Sequence, residues 1–173
     1  MRKMIDYPRL YEWSAAHKRL GAAFRLLHLP SLVIIALFYA AHVGLSAYFG
    51  SLAMAITLLA VSGAPFLAVS VLRHILNAPR PYEVYELRSF GLDVPRYKRG
   101  CSFPSRHTFS AFLIGVLLLP DLPFLGAAAL LIGVYLATSR VLLGIHFIRD
   151  VVAGAAIGTL AGVVGTLCVH FFC

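Results

Sequence analysis

Long uncharged stretches constrain this chain more than any other feature of its sequence. Residues 26–72, 107–120, 122–139 and 151–173 contain no Asp, Glu, Lys or Arg. A helix needs about 20 apolar residues to cross the hydrocarbon core of a bilayer. Since 60% of the residues are hydrophobic and only 13% are charged, the composition is far from that of a soluble domain. The sequence therefore predicts an all-α fold, a polytopic membrane helix bundle.

Turn-forming residues divide the uncharged stretches into five helices. Residues 49–51 break the first stretch, and residues 120–123 and the neighbourhood of Gly144 supply the later breaks. The predicted helices lie at about 30–48, 52–74, 105–120, 123–142 and 146–171. The third of them is short for a complete span.

Residues 1–29 differ from the rest, because charged side chains are spread among apolar ones at helical spacing. This pattern is typical of an amphipathic helix in the membrane interface. The alternative is an irregular first span, which would raise the number of transmembrane helices from five to six. No uninterrupted apolar core of a cleavable signal peptide is present in this segment. With the helical core at 30–173, the chain is predicted to form a single integral-membrane domain over residues 1–173.

The net charge of +8 raises the question of an anionic partner. The basic residues fall in the N-terminal segment and in residues 73–106, which favours membrane lipids and phosphate substrates over nucleic acid. Cys101 and Cys168 belong to distant parts of the predicted bundle, so no disulfide is expected between them. No pattern of Cys, His, Asp or Glu has the spacing of metal ligands, and the sequence predicts no metal and no cofactor.

Polar residues gather where the predicted helices end. Because successive spans alternate in direction, these ends lie on one side of the bilayer, and the opposite connections carry no Lys or Arg. One arginine at a helix end is usually an anchor in the interface. Histidines and a carboxylate beside several arginines need another explanation. The set comprises Arg73, Arg80, Ser105, Arg106, His107, Arg140, His146 and Asp150.

The spacing of His146 and Asp150 predicts a catalytic pair. Four residues apart on a helix, they share one face, so the carboxylate can accept the proton of one imidazole nitrogen. The other nitrogen is then free to act as a base or a nucleophile. If the pair stood alone, a salt bridge at the start of the last helix would explain it equally well.

A place for an anion is predicted beside that pair. Ser105 is a good N-cap, and the backbone amides of the first helical turn attract negative charge. His107 follows in that turn. Arginine side chains can each donate two hydrogen bonds to the oxygens of a phosphate, and they come from two other helix ends at positions 73, 80 and 140.

These residues form three motifs that resemble the signatures of the type 2 phosphatidic acid phosphatase family, which also includes lipid pyrophosphatases and, on a shared core, vanadium haloperoxidases. The motifs are Arg73-x6-Arg80-Pro81, Pro104-Ser105-Arg106-His107 and Ser139-Arg140-x5-His146-x3-Asp150. Two positions depart from the family pattern. Arg73 stands where Lys is usual, and Arg106 stands where Gly is usual.

The resemblance implies a metal-independent phosphatase. It gives His146 the role of nucleophile in a phosphohistidine intermediate, Asp150 the role of orienting it, and His107 the role of acid and then base. It also implies that a lipid phosphate or lipid pyrophosphate is the substrate. The phosphate-binding groups that it implies are Arg73, Arg80, Ser105, Arg106 and Arg140.

Other functions and several details stay open. A phosphotransferase could pass the phosphoryl group to another lipid, and a non-catalytic binder or transporter would bind without turnover. A haloperoxidase is disfavoured, since a soluble enzyme has no use for five apolar spans. Undecaprenyl pyrophosphate, phosphatidylglycerol phosphate, phosphatidic acid and a lipid A-type phosphate are all candidate substrates. A monomer is predicted, with a homodimer as the alternative.

Localisation follows from the resemblance, which implies a bacterial cytoplasmic membrane with the site on its extracytoplasmic side. Positive residues in the 73–106 region share the side of the site, whereas the positive-inside rule places such residues in the cytoplasm. If residues 1–29 do not span the bilayer, their basic side chains lie on that side too; if they do span it, those side chains lie on the opposite side and support an extracytoplasmic site. The two arguments therefore disagree about orientation.

Three further predictions concern residues outside the motifs. The glycines at positions 154, 158 and 162 have the small-xxx-small spacing of closely packed helices, within one chain or, alternatively, between two. Tyr82, Tyr85, Leu87 and Phe90 form a candidate interfacial lid for a lipid, or ordinary aromatic anchors. The remaining histidines match no motif and are given no chemistry. They are His17, His28, His42, His74 and His170.

Overall fold

The computed structural model describes residues 6–85, 87 and 99–172, and this part of the chain folds into helices without a β-strand. It therefore confirms the predicted all-α membrane fold. Residues 46–50 continue the second helix as a π-helical turn. The α-helices are α1 (Tyr7–Ala16), α2 (Lys18–Leu45), α3 (Leu52–Leu76), α4 (Pro81–Val84), α5 (Arg106–Leu118), α6 (Pro123–Leu142) and α7 (Ile148–Phe172).

Four helices of the described chain are long and apolar enough to cross a membrane, namely α2 with its π-turn, α3, α6 and α7. The predicted third span is α5, which has 13 residues and a length of about 20 Å. Most of the α5 side chains from Thr108 to Leu118 are buried between the other helices. Because its neighbours shield it, α5 does not need to match the thickness of the hydrocarbon layer.

The predicted division between residues 1–29 and a helix from residue 30 is wrong in position. The break falls at His17, and α2 runs without interruption from Lys18 through Pro30. Proline is tolerated inside membrane helices when other groups satisfy the backbone around it. Next to the proline, the hydroxyl of Ser31 adds a bond within the helix by donating to the carbonyl of Leu27 at 2.7 Å. The short α1, of 10 residues, is the separate N-terminal helix.

The other helix boundaries agree with the prediction, with one exception that matters for the site. Ser51 begins α3 with its hydroxyl accepting from the amide of Met54, at the predicted turn, and α6 has the predicted bounds. The last helix begins at Ile148 rather than at 146. His146 therefore precedes α7, and the prediction that it shares a helical face with Asp150 is wrong.

Glycines bring α7 directly against α5. A β-carbon added at Gly154 would lie 2.6 Å from the carbonyl oxygen of Ser105, and one at Gly158 would lie 2.4 Å from that of Phe109. At Gly162 it would meet the side chain of Val116 at 2.7 Å. The small-xxx-small pattern therefore serves packing within the chain, and it fixes the start of α5 against the start of α7.

Two contacts define the ends of the bundle. At one end, Nε2 of His42 on α2 lies 2.9 Å from the carboxylate of Asp121, between α5 and α6. At the other, the hydroxyl of Ser14 on α1 donates to the carbonyl of Leu142 at 2.7 Å, beside the α6–α7 connection. Tyr11 of α1 is fully buried there against Leu87. The N-terminal helix thus lies at the end that carries the predicted site residues.

Candidate active site

The connection between α6 and α7 presents His146 to the interior of the bundle. Gly144 has a φ of +66°, a conformation that side chains rarely adopt, and the side chain of Leu87 occupies the space where its β-carbon would stand. After this turn, the amides of Ile145 and His146 both donate to the carbonyl of Arg140, at 2.9 and 3.1 Å. This tight turn ties the backbone of His146 to the end of α6.

His146 and Asp150 come together as predicted, and a third residue joins them. The Nδ1 atom of His146 lies 3.5 Å from Oδ2 of Asp150 and 3.2 Å from Oγ of Ser102. Ser102 donates a hydrogen bond to the same carboxylate oxygen, which also accepts from the amide of Phe147 at 3.0 Å. The other oxygen of Asp150 lies 3.6 Å from Nε of the exposed Arg149.

This arrangement keeps His146 neutral. His146 is 2% exposed, and this burial lowers the pKa of His146 from 6.5 to about 4. The hydrogen bond with Asp150 raises the pKa, and the positive charges of Arg80 and Arg73 lower it. An uncharged imidazole has a lone pair on one nitrogen. Because Nδ1 faces Ser102 and Asp150, the nitrogen available for chemistry is Nε2.

Arg140 connects two histidines on the other side of the site. Its Nη2 atom lies 3.4 Å from Nε2 of His107 and is hydrogen-bonded to Nε2 of His28. The rings of His28 and His107 meet edge to face with centroids 5.3 Å apart. The backbone amide of His146 donates to the carbonyl of the same Arg140 at 3.1 Å, so the two predicted catalytic histidines belong to one site.

Arg73 is almost completely buried, at 4% exposure, and it holds the loop before α5. Its Nη1 donates to the carbonyls of Ser102, at 3.4 Å, and Pro104. Its Nη2 donates to the carbonyl of Cys101. The guanidinium thus fixes the backbone that carries Ser102 and Ser105. Its positive charge also lowers the pKa of His146.

Arg80 is likewise buried, at 8% exposure, and donates from Nε to the carbonyl of Gly100 at 3.0 Å. Glu83 closes the same loop, because its carboxylate accepts from the amides of Arg80, at 2.7 Å, and Gly100, at 3.0 Å. Arg80 also lies over the ring of Tyr82, 5.9 Å from its centroid. Arg73 at the end of α3 and Arg80 at the start of α4 therefore both hold the loop before α5, and the positive charge of each acts on His146.

The start of α5 has the predicted N-cap position, although the cap bond is missing. Ser105 is fully buried, its side chain makes no capping bond, and its hydroxyl accepts from Thr108 at 3.2 Å. Its amide donates to the carbonyl of Asp150 at 2.9 Å, which joins α5 to α7. Arg106 is the first residue of α5 and is partly exposed.

The predicted site residues thus cluster, with two additions that the motifs do not contain. Ser102 contacts the His146–Asp150 pair, and His28 contacts the Arg140–His107 pair. Both contacts are tertiary, and no spacing in the sequence indicates them. Among the residues that the structure describes, no group of three His, Cys, Asp or Glu side chains could hold a metal ion.

The candidate lid lies at the same end of the bundle. Tyr85 packs against Tyr11 of α1 with ring centroids 5.9 Å apart, and Tyr7 meets Phe147 edge to face at 5.2 Å. Leu87 is 2% exposed. These contacts cover the α6–α7 connection from outside. Phe90, which belongs to the same prediction, lies outside the described residues.

Comparisons with known proteins identify the family. A search of curated proteins found no match. Among solved structures, the chain is similar to the crystal structure of the first transmembrane PAP2-type phosphatidylglycerolphosphate phosphatase from Bacillus subtilis. The two share 26% sequence identity with a TM-score of 0.57, over 98% of this chain and 81% of the other. The sequence model of the PAP2 superfamily matches residues 47–172, and the chain therefore belongs to this superfamily.

Proposed function

We propose that the protein is a metal-independent membrane phosphatase that hydrolyses a lipid phosphate or lipid pyrophosphate through a phosphohistidine on His146. The observation that supports this most is the buried, neutral imidazole of His146, whose Nδ1 atom is occupied by a serine and a carboxylate. An oriented and uncharged imidazole is a good nucleophile. The family and the phosphatase neighbour support the same reaction class.

In the first step, Nε2 of His146 attacks phosphorus while the bond to the leaving oxygen breaks. His107, which is protonated when the negatively charged phosphate is bound, gives one proton of its imidazolium to that oxygen and becomes neutral, so the lipid leaves as an alcohol, or as a monophosphate if the substrate is a pyrophosphate. The imidazole of His146 then carries a positive charge next to Asp150. Charge that spreads over the phosphoryl oxygens is stabilised by the groups of the phosphate pocket. These are Arg73, Arg80, Arg140, Ser105 and the amide of Arg106.

In the second step, water attacks the phosphohistidine. His107 takes a proton from the water, the bond between Nε2 and phosphorus breaks, and inorganic phosphate leaves. His146 returns to its neutral state, because burial and the neighbouring arginines favour the uncharged ring. Transfer to a second lipid would need a hydroxyl group at the place of this water.

The position of the site supports a lipid substrate. His146 and His107 lie where membrane-spanning helices end or begin, which is where the head groups of lipids are found. A phosphatidylglycerolphosphate phosphatase is similar in structure, so phosphatidylglycerol phosphate is the first substrate to test. Phosphatidic acid, undecaprenyl pyrophosphate and a lipid A-type phosphate complete the panel. The proposal places the site on the extracytoplasmic face of a bacterial cytoplasmic membrane.

Phosphate release by the purified protein in detergent tests this function. We expect release from at least one lipid of the panel without an added acceptor, and a loss of several powers of ten in His146→Ala. Rapid quenching at alkaline pH should trap a labelled phosphoprotein in the native enzyme and none in the variant. Turnover by His146→Ala near the native rate, or a requirement for a second lipid as acceptor, would reject the proposal. His74→Ala, which changes an exposed histidine of α3, is the matched control.

A further inference from the structure

Ser102 is completely buried in the loop that precedes α5. Its backbone is fixed, since its amide donates to the carbonyl of Ala78 at 2.9 Å and its carbonyl accepts from Arg73. The side chain therefore has a defined position, with Oγ next to both His146 and Asp150. Nothing in the three motifs gives this serine a role.

The distances around Ser102 define a chain of hydrogen bonds. Oγ of Ser102 is 3.2 Å from Nδ1 of His146, whereas the carboxylate of Asp150 is 3.5 Å from the same nitrogen. Hydrogen bonds between nitrogen and oxygen are usually 2.7–3.2 Å long. The hydroxyl is thus the closer acceptor for the Nδ1 proton, and its own proton points to Asp150.

We propose that Ser102 is a positioning residue that joins the nucleophile to its carboxylate, an inference that rests on the function proposed above. Its oxygen accepts from Nδ1–H of His146 and its O–H donates to Oδ2 of Asp150. No proton is transferred along this chain of hydrogen bonds. Nδ1 of His146 keeps its proton throughout, and Nε2 stays unprotonated and can attack phosphorus. When Nε2 is bonded to phosphorus, the imidazole ring is positively charged. The hydroxyl of Ser102 then stabilises the ring by accepting from Nδ1–H, and Asp150 polarises that hydroxyl by accepting its proton in a hydrogen bond.

A purely structural role makes a different prediction. A buried hydroxyl needs a partner, and Asp150 alone would satisfy that need. In that case the removal of the hydroxyl would weaken folding and ligand binding together. If Ser102 instead positions His146, removal of the Ser102 hydroxyl slows the formation of the phosphohistidine, and the phosphate-binding residues keep their positions.

The test is a set of purified variants with substrate turnover, orthovanadate inhibition and thermal stability measured on each. Ser102→Ala should lower kcat by about 10- to 100-fold, the range expected for a hydrogen bond to a charged group, with the vanadate inhibition constant little changed. Ser102→Thr keeps the hydroxyl and should recover most of the rate. The control is Ser31→Ala, which removes a buried serine hydroxyl on α2 and should turn over like the native enzyme.

A double-mutant cycle makes the test specific. If Ser102 acts through Asp150, the same Ser102→Ala change in an Asp150→Asn background should cost much less than in the native enzyme, because coupled residues are not additive. Equal costs in both backgrounds, a native kcat in folded Ser102→Ala, or parallel losses of kcat, stability and vanadate binding would overturn the inference. If any of these results is obtained while His146→Ala is inactive, only the role of Ser102 is rejected and the proposed phosphatase function is retained.

Discussion

Nη2 of Arg140 lies 3.4 Å from Nε2 of His107. An arginine is always a donor at neutral pH, so Nε2 of His107 accepts in this state and its proton is on Nδ1. The same nitrogen of Arg140 donates to His28 on α2. The guanidinium is therefore held between two imidazole rings that come from different helices.

This contact predicts that His28 helps to place Arg140 for phosphate binding. We expect His28→Ala to raise KM and the orthovanadate inhibition constant by up to about tenfold, the effect of losing one hydrogen bond, with a smaller change in kcat. His28→Gln should recover part of the binding through its amide oxygen, and His28→Leu should not. Native inhibition constants in all three variants would show that His28 does not act on the phosphate.

Acid pH should destabilise the native protein through His146. Its folded pKa is about 4, below the unfolded value of 6.5, so the unfolded chain binds more protons between these two values and stability falls as pH decreases through this window. The loss approaches roughly 2–3 kcal/mol near pH 4.5. Thermal unfolding in detergent at pH 7 and 4.5 measures it.

His146→Gln is the matched variant for that measurement, because glutamine does not titrate. Groups that do not contact His146 contribute equally to both proteins, so the difference between them reports His146 together with its partner Asp150. An equal drop in melting temperature for the native protein and the variant would contradict a depressed pKa in the folded state.

Chelation and a phosphate mimic should have opposite effects on turnover. We expect EDTA to leave phosphate release unchanged, since the proposed mechanism assigns every step to side chains. Orthovanadate, which mimics the transferring phosphoryl group in its transition state, should inhibit strongly. Loss of activity in EDTA that is restored by one divalent metal would reject the metal-independent mechanism.

The packing of α7 on α5 predicts a large difference between two glycine substitutions. Gly158→Ala would place a β-carbon 2.4 Å from the carbonyl oxygen of Phe109, whereas Gly63→Ala on α3 has no atom within 4 Å of the new carbon. Overpacking of this kind costs about 1–3 kcal/mol. Thermal inactivation in detergent should be faster for Gly158→Ala and unchanged or slower for Gly63→Ala. Similar inactivation of the two variants would contradict this packing.

Labelling of single cysteines decides the orientation. The family resemblance predicts an extracytoplasmic site, while Arg9 on α1 lies at the site end with Lys18 and Arg19 at the start of α2, and these residues favour a cytoplasmic one. In a chain whose native cysteines are changed to serine, Glu12→Cys reports the site end and Phe49→Cys the opposite end. We expect an impermeant maleimide to label only Glu12→Cys in intact cells. Labelling of Phe49→Cys alone would reverse the assignment.

The sequence predicted α6 within its observed bounds because Pro123 marks its start and Gly144 follows its end. It misplaced the start of α2 because the charged side chains of residues 1–29 were assigned to a separate interfacial helix. A membrane gives the chain no solvent to replace lost helical hydrogen bonds, so the helix continues through Pro30 and its break falls at His17.

The sequence predicted the site residues that belong to the three motifs. It did not predict the residues that only the tertiary fold brings to the site. His146 and Asp150 were paired from their spacing, although the pairing depends on a turn at Gly144 and on Ser102 rather than on a shared helical face. His28 is far from every motif in the sequence. It reaches Arg140 because α2 packs beside α6, and a single sequence carries no signal for that contact.

The burial of α5 has a consequence for the membrane in which the protein works. A helix of 13 residues that touches protein on most sides has no hydrophobic length to match to the lipid. Thinner or thicker membranes would tilt or strain the four long helices around it, and these helices carry Arg73 and Arg140 and adjoin His146, whereas His107 stands on a helix without a lipid-matching length of its own. We therefore expect turnover to fall when the acyl chains of the host lipid are made much shorter or longer, because the other groups of the site then shift relative to His107.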